Sequence, residues 1–354
     1  APLGRKIGPD PASIDTCMVG GIMANNASGM CCGTADNSYK TIVSGRFILA
    51  DGTLVDTGIA ASRAAFAESH GNLLEGLTAL RGDVMGDSEL AERIRRKFKI
   101  KNTMGYSINA LVDYEDPFDI LQHLMVGSEG TLGFIAEVTY RTVEELPFKA
   151  SSLMLFPTVE AACAASALMG SASPKLVDAV ELMDRASLRS VEGQEGVRDL
   201  TFLPEEACSL LVETRATSSD ALDKQILTIA DILKAAPMLE PVEFTSDPTA
   251  SAYLWKIRKG ILPSAGAMRK SGTSSLIEDV AVPLERLAEA ALDLQHLFRK
   301  HAYTDATLFG HALDGNLHFC FAQDFSTKKE IDRYRAFMDD IGALIAEKYE
   351  GSLK

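Results

Sequence analysis

Phe309-Gly310-His311-Ala312-Leu313-Asp314-Gly315-Asn316-Leu317-His318-Phe319 places an Asp-Gly pair between two apolar runs. That is the strongest short-range signal for a β-hairpin, because both central positions of a type I′ turn need φ > 0. A two-residue turn at Asp314-Gly315 predicts that His311 faces His318 across the ladder. Residues opposed on one face have Cβ atoms about 4.5–5.5 Å apart, so both imidazoles can reach a single divalent ion. Asn316, two residues before His318, points to the same face. The alternative is a surface hairpin with two solvent-facing histidines, and the rest of the chain bears on the choice.

Around the hairpin the pattern alternates strands with long helices. Strands are expected at 151–156, 177–183, 208–214, 239–244 and 275–282. Helices are expected at 158–172, 218–236, 250–270, 284–301 and 328–349. This predicts an α/β layer, an antiparallel sheet covered by helices. Upstream of Glu144-Glu145-Leu146-Pro147 the texture differs. Residues 1–40 are glycine-rich and loop-like, a hairpin is expected at 42–57 around Asp51-Gly52, residues 60–98 are helical with a cap at Ser88, and 134–140 is a strand. The overall class is α+β, in two domains, 1–145 and 146–354.

The chain carries 35 Lys and Arg against 49 Asp and Glu, a net charge of −14 over 354 residues. Nucleic acid and anionic membrane surfaces would repel it. No run approaches the roughly 18 apolar residues of a membrane-spanning helix, and no secretory signal opens the chain. The six cysteines sit in apolar surroundings without a C-x-x-C, which suits buried thiols in a reducing cytoplasm and leaves no cysteine-ligated iron–sulfur cluster in this chain. The adjacent pair Cys31-Cys32 could form a strained disulfide. The absence of an initial Met and the stop at Lys354 suggest a piece of something longer.

Two glycine clusters call for a ligand. Val19-Gly20-Gly21-Ile22-Met23-Ala24-Asn25-Asn26-Ala27-Ser28-Gly29 puts small residues where backbone could approach a phosphate closely, and Gly127-Ser128-Glu129-Gly130-Thr131-Leu132-Gly133 repeats the device. Tight turns without a ligand are the alternative for either one. Neither matches a P-loop or a strand-borne G-x-G-x-x-G, which disfavours nucleotide hydrolysis and a Rossmann site.

These clusters, with Gly8-Pro9-Asp10-Pro11-Ala12-Ser13, Leu49-Ala50-Asp51-Gly52-Thr53, Lys101-Asn102-Thr103-Met104-Gly105-Tyr106 and the His311/His318 hairpin, occur in an order that resembles the FAD-linked oxidase family, of the vanillyl-alcohol-oxidase type. The branch resembles D-lactate, glycolate and D-2-hydroxyglutarate dehydrogenases. The resemblance implies that 1–145 is the second lobe of an FAD-binding domain and 146–354 a substrate domain. It implies FAD contacts at Pro9, Asp10, Ser13, Gly20, Gly21, Asn25, Asn26, Ser28, Gly29, Gly127, Glu129, Gly130, Gly133 and Ile135. It also implies a first flavin lobe before Ala1, and a Glu-His-Gly-Thr-Gly motif with a third metal ligand and the base after Lys354. A chain without that lobe is expected to hold FAD weakly.

The chemistry the resemblance implies is oxidation of a D-2-hydroxy acid by hydride transfer to flavin. His311 and His318 would hold a divalent metal, zinc first, with manganese or iron as alternatives. Arg258, in Leu254-Trp255-Lys256-Ile257-Arg258-Lys259, matches the family's substrate arginine, a planar fork for a carboxylate. Asn316 would bond substrate or water, or stabilise the turn. Hydroxyglutarate-specific members carry a second basic residue where this chain has Ile277, flanked by Glu278 and Asp279. That departure favours a small monocarboxylate, D-lactate, over glycolate or D-2-hydroxyglutarate, unless Arg269 or Lys270 reaches the site. The implied electron acceptor is a quinone, a cytochrome or a fused iron–sulfur domain outside this chain, and the implied location is cytoplasmic or peripheral at the inner face of a membrane. A metal-dependent hydrolase and a non-catalytic scaffold are rival readings.

Overall fold

A computed structural model describes residues 3–11, 13–102, 104–195 and 197–353. Ala12 and Thr103, inside two of the quoted motifs, lie outside the described residues. The chain divides into two compact units, Ala1–Glu145 and Leu146–Lys354.

The first unit runs β1 (Arg5–Ile7), α1 (Val19–Asn25), α2 (Ser38–Thr41), β2 (Ile42–Ile48), β3 (Leu54–Asp56), α3 (Ala60–Ser69), α4 (Gly71–Gly86), α5 (Ser88–Lys97), α6 (Ala110–Asp113), α7 (Pro117–Met125), β4 (Phe134–Tyr140) and β5 (Thr142–Glu144). β2 is the middle of a three-stranded antiparallel sheet, between β3 and β4. Phe47, Val55, Phe66, Ile120 and Met125 fill its core. α5 is capped by Asp87, whose carboxylate accepts the N–H groups of Glu89 and Leu90, one residue earlier than the expected Ser88. An aspartate at that position both satisfies the free donors and meets the positive helix end. The expected glycine loop at 19–29 is in its first part a helix. Gly20 lies in α1, which packs on β4, a Cβ there standing at ordinary contact distance, 3.4 Å, from the Ile135 carbonyl oxygen.

The second unit runs β6 (Phe148–Phe156), α8 (Val159–Gly170), β7 (Ala179–Asp184), α9 (Arg185–Val191), β8 (Cys208–Ala216), α10 (Ser219–Ile232), α11 (Pro248–Met268), β9 (Ser274–Ala281), α12 (Leu287–Lys300), β10 (Thr307–His311), β11 (Asn316–Gln323), α13 (Lys328–Ala343) and β12 (Ser352–Leu353). These strands form one antiparallel sheet in the order β12-β9-β11-β10-β7-β8-β6. Alternation along the strands sends Val180, Leu182, Leu308, Leu317 and Phe319 to one face, under α8, α10, α12 and α13. Met183, Leu211, Phe309 and Cys320 go to the other face, under α9 and α11.

The expected strand at 239–244 does not form. Leu239 donates to the Leu155 carbonyl at 2.8 Å, and Thr245 exchanges two 2.9 Å bonds with Ser151. Between them Pro241 has no N–H to continue the ladder. At the far end, the expected helix 328–349 changes to a π-turn at Leu344–Lys348.

Candidate active site

The hairpin forms with a different register. His311 pairs with Asn316 and Phe309 with His318, so the connection is four residues long. Ala312–Asp314 makes one 3-10 turn, and only Gly315 takes φ > 0, at 62°. A two-residue I′ turn would have required Asp314 in the left-handed region as well. A shift of two residues preserves the face, since side chains alternate with period two. His311 and His318 are therefore diagonal neighbours, not direct opposites, with ring centroids 5.1 Å apart and planes at 87°. Two glycines allow this. A Cβ on Gly310 would stand 2.2 Å from the Asn316 carbonyl oxygen, and one on Gly315 would stand 2.1 Å from that of Val282.

Across the next ladder Glu181 of β7 lies directly opposite His311. Its Oε1 is 2.6 Å from His311 Nδ1, and its Oε2 accepts from Arg258 Nε at 2.7 Å. Glu181 is completely buried. Burial pushes its carboxyl up, but the opposing charges of His311 and Arg258 outweigh that and hold it at about 2. Arg258 comes from α11, is nearly buried, and lies over the Phe309 ring with its guanidinium carbon 4.6 Å from the centroid. Among the described residues its Nη1 and Nη2 edge makes no hydrogen bond, so the fork faces outward from Glu181.

The second imidazole has its own carboxylate. Asp279 of β9 is opposite His318, with Oδ1 3.3 Å from Nδ1. Asn316 donates to the same oxygen and, at 2.9 Å, to the Val280 carbonyl. Both amide hydrogens are thereby used, and Asn316 braces β11 against β9. A carboxylate beside Nδ1, here at ion-pair rather than hydrogen-bond geometry, favours the tautomer that carries its lone pair on Nε2, the arrangement typical of metal-binding histidines. Among the described residues no group of three or more His, Cys, Asp and Glu is disposed to hold an ion. The donor set present is thus two imidazoles, chemically suited to zinc and incomplete without a further ligand.

Glu181 escaped the sequence reading although its signal was there. A lone acid inside the apolar run Val180-Glu181-Leu182-Met183 must be paired when the strand is buried.

In the first unit most of the predicted cofactor residues fall in two groups, one around α1 and the Gly127–Gly133 turn and one around Asp10 and Gly29. The Gly127–Gly133 turn docks on the end of α1: Gly127 N donates to Met23 O at 3.1 Å and Glu129 N to Ala24 O at 2.9 Å. Asn25 donates to the Glu129 carboxylate at 2.6 Å. Asn26, Gly127, Glu129 and Gly130 all take positive φ. Gly133 packs against the Ile48 carbonyl and Gly20 against Ile135. Asp10, next to buried Pro9, accepts from Cys31 N and Cys32 N, and Gly29 is pressed onto the Asp10 backbone. Ser13 is exposed, and Gly21 has open space around it. Ser28 Oγ is buried with no hydrogen-bond partner among the described residues. An orphaned hydroxyl inside a cluster of close backbone approaches fits a bound polar group such as FAD. All six cysteines are thiols, and burial, with Asp10 adding to it, pushes Cys32 up to about 12, away from easy oxidation.

No helix among the described residues is long and apolar enough to cross a membrane. The model for "FAD linked oxidases, C-terminal domain" matches residues 146–354, and the one for "FAD binding domain" matches residues 1–58. A mitochondrial D-lactate dehydrogenase [cytochrome] of Arabidopsis thaliana is 34% identical over 62% of this chain and 37% of that protein. A glycolate oxidase subunit of Bacillus subtilis is 27% identical over 60% of this chain and 43% of its own length. A D-2-hydroxyglutarate dehydrogenase of Haemophilus influenzae is 21% identical over 99% of this chain and 35% of its own length. The chain thus spans less than half the length of these relatives. A solved alkyldihydroxyacetonephosphate synthase superposes with a TM-score of 0.61 at 18% identity, over 100% of this chain and 57% of that one, a likeness of fold. With a family model matched over more than half its length, the chain belongs to the FAD-linked oxidases.

Proposed function

We propose that this protein oxidises a small D-2-hydroxy acid, D-lactate first, to the 2-oxo acid. The observation that carries the reading is the buried Glu181 joining Arg258 to His311, which gathers a carboxylate fork and an imidazole pair on one sheet face. Arg258 would offer its unbonded Nη edge to the substrate carboxylate, with its guanidinium carbon held 4.6 Å from the Phe309 ring centroid. His311 and His318 would hold a divalent ion through Nε2, zinc by preference, with Glu181 and Asp279 fixing the two ring orientations. That ion supplies a Lewis acid that eases loss of the hydroxyl proton. FAD, which the cluster around Gly20, Asn25, Ser28, Gly29, Gly127 and Glu129 would hold, supplies the hydride acceptor. Asn316 acts through Asp279 as a positioning residue.

Monocarboxylate preference follows from what surrounds the pair. Ile277, on the same strand face as Asp279, offers no charge to a distal carboxylate. Asp279 would repel one, while Glu278 points to the opposite face of the sheet with Phe319. Arg269 is bound to the carbonyls of Gly266 and Thr273, at 2.6 and 3.1 Å, which ties it to the end of α11. Glycolate and D-2-hydroxyglutarate remain the second reading because relatives carry those names. The test is anaerobic mixing of the flavin-loaded protein with each hydroxy acid. D-lactate should bleach the oxidised-flavin absorbance and L-lactate should not. A colourless protein with metal-dependent hydrolytic activity would refute the reading.

A further inference from the structure

We infer that Glu181 is a positioning residue that sets the substrate fork and the metal-binding imidazole together, so that the two sites are coupled through one carboxylate. The inference rests on the hydroxy-acid and metal reading above. The two oxygens of Glu181 serve different partners, Oε1 meeting His311 Nδ1 at 2.6 Å and Oε2 meeting Arg258 Nε at 2.7 Å. The strand register fixes the first contact, because Glu181 and His311 are direct partners between β7 and β10. The second reaches from the sheet to α11. With the carboxylate completely buried, water cannot substitute for either partner. The acid also sets which nitrogen of His311 carries the proton and which edge of Arg258 is left over, Nη1 and Nη2. A carboxylamide of the same shape can accept from only one of the two partners and presents a donor to the other.

A second buried carboxylate gives the contrast. Glu213 of β8, on the same sheet face, accepts from Trp255 Nε1 at 3.0 Å and pairs with Arg215 at 2.6 Å, partners different from those of Glu181. It too is a buried carboxylate whose two oxygens serve different partners, but neither partner is Arg258 or a histidine of the pair, which separates a positioning role at the site from a merely structural one.

The experiment compares wild type, Glu181→Gln, Glu181→Asp, Glu213→Gln and His311→Ala in the flavin-loaded protein, by calorimetric titration with Zn²⁺ and by steady-state kinetics with D-lactate. Folding is checked by near-ultraviolet circular dichroism. Glu181→Gln should weaken Zn²⁺ binding about 10–100-fold, as loss of a carboxylate behind a ligating histidine does, and raise KM for D-lactate. Glu181→Asp keeps a paired charge but is too short to span both partners, so it should show the same two defects even if the Gln variant fails to fold. Glu213→Gln should move neither reading. Wild-type Zn²⁺ affinity and KM in a folded Glu181 variant would overturn the inference alone, provided His311→Ala had lost Zn²⁺ binding. Absence of Zn²⁺ binding in wild type would overturn the metal reading and this inference together.

Discussion

Arg258→Lys separates the fork from its charge. Lysine keeps a cation near Glu181, so the buried carboxylate is not abandoned, but a single ammonium cannot bond Glu181 and also offer two parallel donors to a substrate. The structure shows what is lost: the Nε bond of 2.7 Å to Glu181 would pass to Nζ, and the Nη edge would disappear. A charge-assisted hydrogen bond is worth about 1.5–3 kcal/mol, so KM for D-lactate should rise about 10–100-fold at roughly 1.4 kcal/mol per decade. The carboxylate is held alike before and during hydride loss, which leaves kcat within a few-fold. Arg258→Met removes the charge altogether and should cost about 3–5 kcal/mol of folding stability, because Glu181 stays buried with one partner fewer. The assays are steady-state kinetics with the flavin-loaded protein and urea unfolding at pH 7. A folded Arg258→Lys enzyme with unchanged KM would refute the assignment of Arg258 to the carboxylate.

Stability should depend on Glu181 in acid. Its folded carboxyl is held at about 2, below its unfolded range. The stabilisation is therefore complete above about pH 5 and is lost as pH falls toward 2. Urea midpoints measured down that range should fall more steeply in wild type than in Glu181→Gln, and parallel curves would contradict the pairing. Gly310→Ala would place a Cβ 2.2 Å from a strand carbonyl, and should cost about 3 kcal/mol or prevent hairpin closure, read by chemical denaturation. Ser28→Ala removes an orphaned buried hydroxyl. It should stabilise the flavin-free protein by about 1 kcal/mol while weakening FAD binding, measured by flavin fluorescence. Tighter FAD binding would show that Ser28 faces no cofactor.

Most of the fold class was legible because β6, β7, β8, β10 and β11 each contain an apolar run bounded by turn residues, whereas the two-residue β12 carries no such signal. Phe134–Tyr140 was read to the residue, since Gly133 precedes it and its β-branched residues follow. The histidine pair was legible for a partly mistaken reason. Asp-Gly correctly marked the turn, but its type was not fixed by two residues, and the face survived only because the slip was even. Residues 239–244 looked like a strand by composition, yet an interior proline decided otherwise. The first glycine cluster was ambiguous because the same small residues serve a phosphate loop and a helix packed on a strand. Glu181 went unread because its partners are 77 and 130 residues away, a pairing that only the β7–β10 register and the packing of α11 on that face reveal.

In the proposed site His311 and His318 share one cation next to Arg258. Anomalous diffraction at the zinc edge, from crystals grown with Zn²⁺, tests it most directly. A single strong peak about 2.0–2.1 Å from Nε2 of both imidazoles is expected. Two ordered imidazoles with no peak between them, or a peak elsewhere, would contradict it.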